Sequence, residues 1–267
     1  MTAMSDRSEA ETTMTIDFAP LHRSLLFNTP LSGERAHELV AFLAKTARGT
    51  VIDVGCGWAE LLLRLLEANE AIHGVGIDLS AAGFDHARQG SKGRQVADRL
   101  QLICGDVKDC LLVAAQGAIC IGASQIWGPP PQARLPMDYA AALAALRRLV
   151  SRGAPVVYGE AIWSTSPTEA AAAPLGGRLD EFIFLPELIE LATKSGFAVV
   201  RVHKATLAEW DDFESGHMAK YTYWLAEHPP DDPQVAEVQA LAQAQSAAYY
   251  RGYRGILGMA YLSLLAV

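Results

Sequence analysis

The chain between residues 50 and 203 alternates between short, uniformly apolar runs and longer amphipathic stretches. Apolar runs of this length are typical of strands that are buried on both faces of a sheet. Six runs are predicted as strands: 50–53, 73–78, 100–104, 117–122, 155–160 and 197–203. Apolar residues at helical spacing predict helices over 59–68, from 81 onwards, over 138–150 and over 186–194. The alternation predicts an α/β protein with a doubly wound, mostly parallel sheet and right-handed crossovers.

Both ends of the chain depart from this pattern. Residues 1–15 are predicted to form a disordered leader, and Ser32 is placed to cap the helix that follows it. Residues 207–251 have a helical pattern with one proline break, and 256–267 have the pattern of a last strand. We therefore expect four segments: a leader and cap over 1–32, a Rossmann-like core over 33–206, a helical insertion over 207–254, and the last core strand over 255–267.

Composition narrows the classes of partner. Apolar residues make up 51% of the 267 residues and charged residues 19%, which suffices for a sizeable core. The formal net charge is −8 without any Lys/Arg-rich run, so no nucleic-acid partner is expected. The four cysteines lack C-x-x-C spacing and flanking histidines, so no metal site is predicted. Because no signal peptide or membrane span is evident, we expect a cytoplasmic protein that does not bind membranes, either monomeric or homodimeric.

The sharpest chemical signal follows the first predicted strand, in Val51-Ile52-Asp53-Val54-Gly55-Cys56-Gly57. Gly55 and Gly57 permit a tight turn and close approach of a ligand, beyond the carboxyl end of a strand where open α/β sheets bind ligands. A dinucleotide fingerprint needs a small third residue, but Glu60 stands there. Asp53 disfavours a diphosphate and favours a cationic ligand, although a purely structural turn remains an alternative.

Two further acids follow the second and third strands. Asp78 ends Gly74-Val75-Gly76-Ile77-Asp78, where a carboxylate can accept hydrogen bonds from both ribose hydroxyls, a device that nicotinamide enzymes also use. Asp106, in Cys104-Gly105-Asp106, either accepts from an adenine amino group or simply caps the next turn.

Together, D-V-G-C-G at 53–57, G-V-G-I-D at 74–78 and C-G-D at 104–106 resemble the motifs of class I S-adenosylmethionine-dependent methyltransferases. Within that family, the chain is similar to small-molecule methyltransferases with an N-terminal helical cap. The resemblance implies S-adenosylmethionine as cofactor and a seven-stranded sheet of order 3-2-1-4-5-7-6, whose antiparallel seventh strand is 256–267. It also implies a cofactor site made of Asp53, Gly55, Cys56 and Gly57 for the methionine part, Asp78 for the ribose, Leu79, Gly105, Asp106 and Val107 for the adenine, and Ala123 in the family's fourth motif.

The acceptor side is less clearly marked. Gln125 and Trp127 follow the fourth strand and should face the reacting methyl group. The nearby Gly128-Pro129-Pro130-Pro131 lacks the leading acid and trailing aromatic typical of enzymes that methylate nucleobase or amide nitrogen. Glu160 ends the fifth strand shortly before Trp163, and is either a general base or cation-holding group, or a surface acid paired with a basic residue.

The insertion carries an aromatic stripe in which Trp210, Phe213, His217, Tyr221 and Trp224 share one helical face. Such a stripe is more often core, but an insertion over the carboxyl edge of the sheet can also form the acceptor pocket with it. His217 is the preferred candidate base.

His22 in the N-terminal cap is the other candidate for the acceptor site, unless it is an ordinary surface histidine.

The predicted activity is methyl transfer from S-adenosylmethionine to a small-molecule acceptor by in-line displacement, a reaction that depends mainly on alignment. Two alternatives stay open. The first is an NAD(P)-dependent oxidoreductase, against which Asp53, Glu60 and the lack of a Tyr-x-x-x-Lys pair argue. The second is a non-catalytic module that binds S-adenosylmethionine.

Overall fold

The computed structural model describes residues 16–110, 114–129, 133 and 135–267. The predicted leader and the residues Pro130 and Pro131 lie outside the described residues. The strands are β1 (Gly49–Val54), β2 (Ile72–Asp78), β3 (Leu100–Cys104), β4 (Gly117–Ile121), β5 (Pro155–Trp163), β6 (Phe197–Lys204) and β7 (Leu257–Ala266). The helices are α1 (Gly33–Thr46), α2 (Glu60–Ala68), α3 (Phe84–Gly93), α4 (Tyr139–Leu149), α5 (Glu169–Ala172), α6 (Leu185–Lys194), α7 (Leu207–Glu227) and α8 (Val235–Ala247), with a π-helix at Ala248–Tyr253.

The strands form one seven-stranded sheet in the order β3-β2-β1-β4-β5-β7-β6. β1 pairs in parallel with β2 and β4, and the pairs β2–β3 and β4–β5 are also parallel. β7 runs antiparallel to both β5 and β6. The predicted fold class, strand order and antiparallel last strand are therefore confirmed. All five parallel strands end at the same edge, where open α/β sheets bind their ligands.

Helices cover the sheet on both faces, because successive side chains of each strand point to opposite sides. Val51 of β1 belongs to the buried cluster that includes Leu39 of α1 and Leu62 of α2. Ile52, the next residue, belongs to the cluster that includes Leu143 of α4. Uniformly apolar strands are the consequence of this two-sided burial.

Two element boundaries differ from the sequence prediction. The helix predicted at 59–68 begins at Glu60, because Ala59 has a φ of 58°, which is left-handed rather than helical. The strand predicted to end at Glu160 continues to Trp163, since its last residues pair with β7 and Trp163 lies opposite Leu257.

The segment between β6 and β7 is helical, as predicted, although the division of the chain into four segments stays a prediction. Tyr221 and Trp224 of α7 form a separate buried cluster with Val238 of α8. The start of α7 is tied to the start of α1, because Glu209 accepts a hydrogen bond from the Ser32 N–H at 3.0 Å and pairs with Arg35 at 2.9 Å. Among the helices of the described chain, none has the length and apolarity needed to cross a membrane.

Candidate active site

A cleft lies at the carboxyl edge of β1, β2 and β4, where the chain passes from strand to helix. It encloses about 1110 Å³ out to its open mouth. The segment before α1, residues 27–31, forms one of its walls. The lining residues are 27–29, 31, 53–58, 60, 61, 77–79, 105–107, 119, 121–123, 125 and 126.

The turn after β1 bends because alternate residues adopt the left-handed conformation, with φ of 71° at Gly55, 53° at Gly57 and 58° at Ala59. Its backbone N–H groups are used within the protein. Gly55 and Cys56 donate to the Ile77 carbonyl at 2.9 and 3.1 Å. Gly57 donates to Asp78 Oδ2 at 2.8 Å. These donors are therefore not free to bind a diphosphate in the way that a dinucleotide-binding turn does.

Two carboxylates flank this turn. Asp53 is only 5% exposed, and no described residue donates a hydrogen bond to its carboxylate. Burial raises the pKa of Asp53 to about 7, and the nearby Asp78 carboxylate raises it further in the same direction. Asp78 accepts one backbone hydrogen bond on each oxygen, from Gly57 and, at 2.9 Å, from Ser80. One lone pair on each Asp78 oxygen remains for a ligand.

The remaining charges of the lining are also acidic. Glu60 is buried and neutralised, because Arg94 donates to both of its oxygens at 2.9 and 2.8 Å and Arg64 pairs with it at 2.8 Å. Asp106 caps a short turn by accepting from the Lys108 N–H at 2.9 Å, and this hydrogen bond lowers the pKa of Asp106. The described lining contains no Lys, Arg or His. The cleft thus favours a cationic or neutral ligand over a diphosphate.

Comparison with known proteins agrees with this geometry. A family model described as a methyltransferase domain matches residues 51–153. A solved S-adenosylmethionine-dependent methyltransferase from Geobacter sulfurreducens, in complex with S-adenosyl-L-homocysteine, is 27% identical with a TM-score of 0.79 and covers 92% of this chain and 96% of that chain. One from Thiobacillus denitrificans, also in complex with S-adenosyl-L-homocysteine, is 27% identical with a TM-score of 0.78 and the same coverages. YJHP from E. coli is 26% identical with a TM-score of 0.77, covering 90% and 95%. None of the curated proteins matches the chain.

The chain is a class I S-adenosylmethionine-dependent methyltransferase. S-Adenosylmethionine is its cofactor, and the residues present fit it. A Cβ added at Gly57 would meet no atom within 4 Å, so this turn leaves open space for a ligand next to the buried Asp53 carboxylate. Leu79, which is 68% exposed beside Asp78, offers an apolar surface at the far side of the cleft. A charged, partly apolar molecule with a cationic end is what such a surface accommodates.

The ten residues predicted to bind the cofactor all line the cleft of the methyltransferase, although their individual contacts with the cofactor stay predictions. They are Asp53, Gly55, Cys56, Gly57, Asp78, Leu79, Gly105, Asp106, Val107 and Ala123. Gln125, predicted for the acceptor, also lines it and donates from Nε2 to the Gly122 carbonyl at 3.2 Å. For Asp106, the structure shows the capping role that was the alternative, alongside its position in the cleft.

The other residues predicted for substrate or catalysis are not among the described lining of the cleft. Trp163 is 1% exposed and donates from Nε1 to the Leu179 carbonyl at 2.9 Å, and Trp127 packs against the core next to α4. His22 stacks on His86 with ring centroids 4.2 Å apart. The residues of the insertion that lie outside the lining are Trp210, His217, Tyr221 and Trp224.

Glu160 is 3% exposed, so its interpretation as a surface acid paired with a basic residue is wrong. Its carboxylate accepts backbone hydrogen bonds from Ser124 at 3.1 Å and from Ala161 at 2.9 Å. Burial raises the pKa of Glu160, while these hydrogen bonds oppose the increase. In this position Glu160 anchors the loop after β4, which carries Ala123 and Gln125 into the cleft.

The sequence analysis missed the wall formed by residues 27–31. Two side chains hold this segment in place. Trp58 donates from Nε1 to the Leu26 carbonyl at 2.9 Å. Tyr261 of β7 donates to the Pro30 carbonyl at 2.9 Å and lies 3.0 Å from the Thr29 hydroxyl. The apolar, proline-broken run at 20–31 was the available signal, but its partners lie far away in sequence.

Proposed function

We propose that this methyltransferase transfers the methyl group of S-adenosylmethionine to a small, partly apolar acceptor by in-line displacement. The observation that carries the proposal is the wall at residues 27–31. It covers the cleft with Phe27, Asn28, Thr29 and Leu31, which are apolar or uncharged. Such a cover suits an enclosed small molecule, whereas a macromolecular acceptor needs an open surface.

The acidic lining supports the same proposal. When bound, S-adenosylmethionine supplies a methyl group on a sulfonium, a good leaving group, so alignment accounts for much of the rate enhancement. Asp53 is placed to hold the cationic end, Asp78 to accept from the ribose hydroxyls, and Gln125 to present an amide at the end of β4. A nucleic-acid substrate would meet carboxylates and no basic residue within the described lining of the cleft.

His217 and Trp210 belong to this proposal as part of an acceptor subsite next to the cleft. A second cavity lies between residues 24–33 and the start of α7, and shares Phe27, Thr29 and Leu31 with the cleft. Phe213 lines it, and the rings of Trp210 and His217 contact Phe213 edge-on, at 5.9 and 4.6 Å.

Two buried nitrogen atoms support this subsite. Trp210 Nε1 and His217 Nε2 have no hydrogen-bond partner within the described part of the chain, and buried polar groups of this kind usually have one. Burial lowers the pKa of His217, with a smaller effect of Lys220 in the same direction, so its ring is neutral at neutral pH. A neutral imidazole can take a proton from an acceptor hydroxyl or ammonium group.

The first experiment separates this function from the oxidoreductase alternative. S-Adenosylhomocysteine should raise the melting temperature of the protein, whereas NAD should not. Next, the protein is incubated with S-adenosylmethionine carrying a labelled methyl group and with a metabolite extract. Label should appear in a compound of low molecular weight. Stabilisation by NAD alone would reject the proposal, and binding without any labelled product would favour a non-catalytic module.

A histidine variant tests the acceptor subsite. His217→Ala should reduce label transfer while leaving the affinity for S-adenosylhomocysteine unchanged, because His217 lies outside the cofactor cleft. His73→Ala, at an exposed position of β2, is the matched control and should behave as wild type. Full transfer activity in His217→Ala would remove this residue from the reaction.

A further inference from the structure

Asp53 differs from the other acids of the cleft in having no compensating partner. Glu60 is paired with two arginines, Asp78 accepts two backbone hydrogen bonds, and Asp106 is paired with Lys108. Asp53 lies next to the end of β1, is 95% removed from solvent, and receives no hydrogen bond from a described residue. A buried carboxylate in this situation is costly unless a ligand supplies the opposite charge.

The groups around Asp53 cannot supply that charge. Asp78 faces it from β2, Cys56 from the turn and Cys120 from β4. Burial raises the pKa of both thiols, with Asp53 adding to the effect, so they stay neutral. The fourth group, Asp78, repels a negative charge on Asp53. The compensating cation must therefore come from the bound molecule.

We propose that Asp53 distinguishes the methylated donor from the demethylated product by charge, and that this preference strengthens as pH rises. The inference rests on the binding of S-adenosylmethionine in the cleft and not on the identity of the acceptor. It assigns to Asp53 a role in product release as well as in donor binding.

The chemistry of the transfer supplies the reason. The donor and the product S-adenosylhomocysteine share adenine, ribose, ammonium and carboxylate groups, and differ in one methyl group and one positive charge on sulfur. In the transfer, a lone pair of the acceptor forms the bond to the methyl carbon, and the carbon–sulfur bonding pair stays on sulfur, which becomes neutral. The ionised Asp53 loses an electrostatic partner at that moment, and takes up a proton from solvent when the pH is near its pKa.

The direction of the pH effect follows from the two protonation states. Burial and Asp78 raise the pKa of Asp53 to about 7. Above this pH, Asp53 is ionised and attracts the sulfonium of the donor, but gains nothing from the neutral sulfur of the product. Below it, Asp53 is neutral and the two molecules are distinguished only by the methyl group. Product inhibition is then strongest at acidic pH.

Isothermal titration calorimetry with S-adenosylmethionine and S-adenosylhomocysteine as separate ligands tests this directly, without any acceptor. The measured quantity is the ratio of the product Kd to the donor Kd, in which the contributions of the shared groups cancel. In the wild-type protein, the ratio should rise about tenfold from about pH 5.5 to about pH 8.5. A ratio that stays constant across this range overturns the proposal.

Two variants assign the effect to Asp53. Asp53→Asn keeps the shape of the side chain and should make the ratio independent of pH, at the lower, acidic value. Asp78→Asn removes the charge that repels the Asp53 carboxylate, so the rise should move to lower pH, whereas lost ribose contacts cancel in the ratio. A pH-dependent ratio that persists in Asp53→Asn would overturn the assignment. Failure of the labelled-methyl assay with a normal ratio would reject the proposed acceptor class and leave Asp53's role standing.

Discussion

The glycine turn after β1 allows a quantitative test, because its two glycines are both left-handed but have different surroundings. Gly55 has a φ of 71°, and a Cβ built there would stand 2.6 Å from the Cβ of Ala123. Gly57 has a φ of 53°, and a Cβ there would meet no atom within 4 Å. Gly55→Ala and Gly57→Ala therefore share the backbone cost and differ in the clash.

The magnitudes follow from these geometries. An alanine in the left-handed region costs about 1–2 kcal/mol at either position. At Gly55 the two carbon atoms would have to separate by about 1 Å to reach ordinary contact, and overpacking of this kind costs about 1–3 kcal/mol more. We expect Gly55→Ala to lower the free energy of unfolding by about 2–5 kcal/mol, and Gly57→Ala by about 1–2 kcal/mol.

Urea denaturation followed by tryptophan fluorescence measures both values. The Ala123→Gly substitution provides the control, because it removes the atom with which the new methyl group collides. In a double-mutant cycle, Gly55→Ala with Ala123→Gly should be more stable than additivity predicts by about 1–3 kcal/mol. Gly57→Ala should show no such coupling to Ala123. It should instead weaken S-adenosylhomocysteine binding, since its methyl group enters the cleft. Equal destabilisation by both alanines, or additivity in the cycle, would refute this reasoning.

Three further outcomes are expected. Asp78→Ala should weaken S-adenosylhomocysteine binding by about 1–3 kcal/mol in calorimetry, because ribose hydroxyls lose their acceptor; unchanged affinity would remove Asp78 from that role. Trp58→Phe removes the hydrogen bond to Leu26 and should lower the affinity by about 0.5–1.5 kcal/mol through loosening of the wall, with a cofactor affinity equal to wild type as the contrary result. Hydrogen bonds from Arg35 and neighbouring donors outweigh burial and lower the pKa of Glu209 from 4.5 to about 2, so wild type should be more stable than Glu209→Gln above pH 4.5 and lose this advantage as pH falls toward 2. A difference that does not vary in pH-dependent denaturation would show that the ion pair does not contribute.

The cofactor side of the site was predictable because its residues follow one another closely along the chain. Asp53, Gly55 and Gly57 lie within five residues of each other, directly after a strand that its apolar run identifies. The backbone of a strand–turn–helix unit is decided locally, so the glycine positions indicate where a ligand can approach. Asp78 stands at the corresponding end of the neighbouring strand and reaches the same turn, with its carboxylate bonded to the Gly57 N–H.

The acceptor side was not predictable in the same way. Glu160 shows this, because its position at a strand end was compatible with catalysis, yet its partners are backbone groups of Ser124 and Ala161. Thr29 shows the converse. Nothing near it in sequence marks it, and it reaches the cleft because Tyr261, 232 residues later, holds its segment.

The sequence by itself determined the fold class, the strand order through its family motifs, and the residues of the glycine turn. Periodicity and local turn chemistry act over a few residues, and these are encoded directly in the chain. Only the tertiary structure decided which side chains cover the cleft and which acids stay without a partner. Both depend on contacts between segments that are distant in sequence, such as the one between β7 and the wall at 27–31, and on burial, which no local pattern specifies.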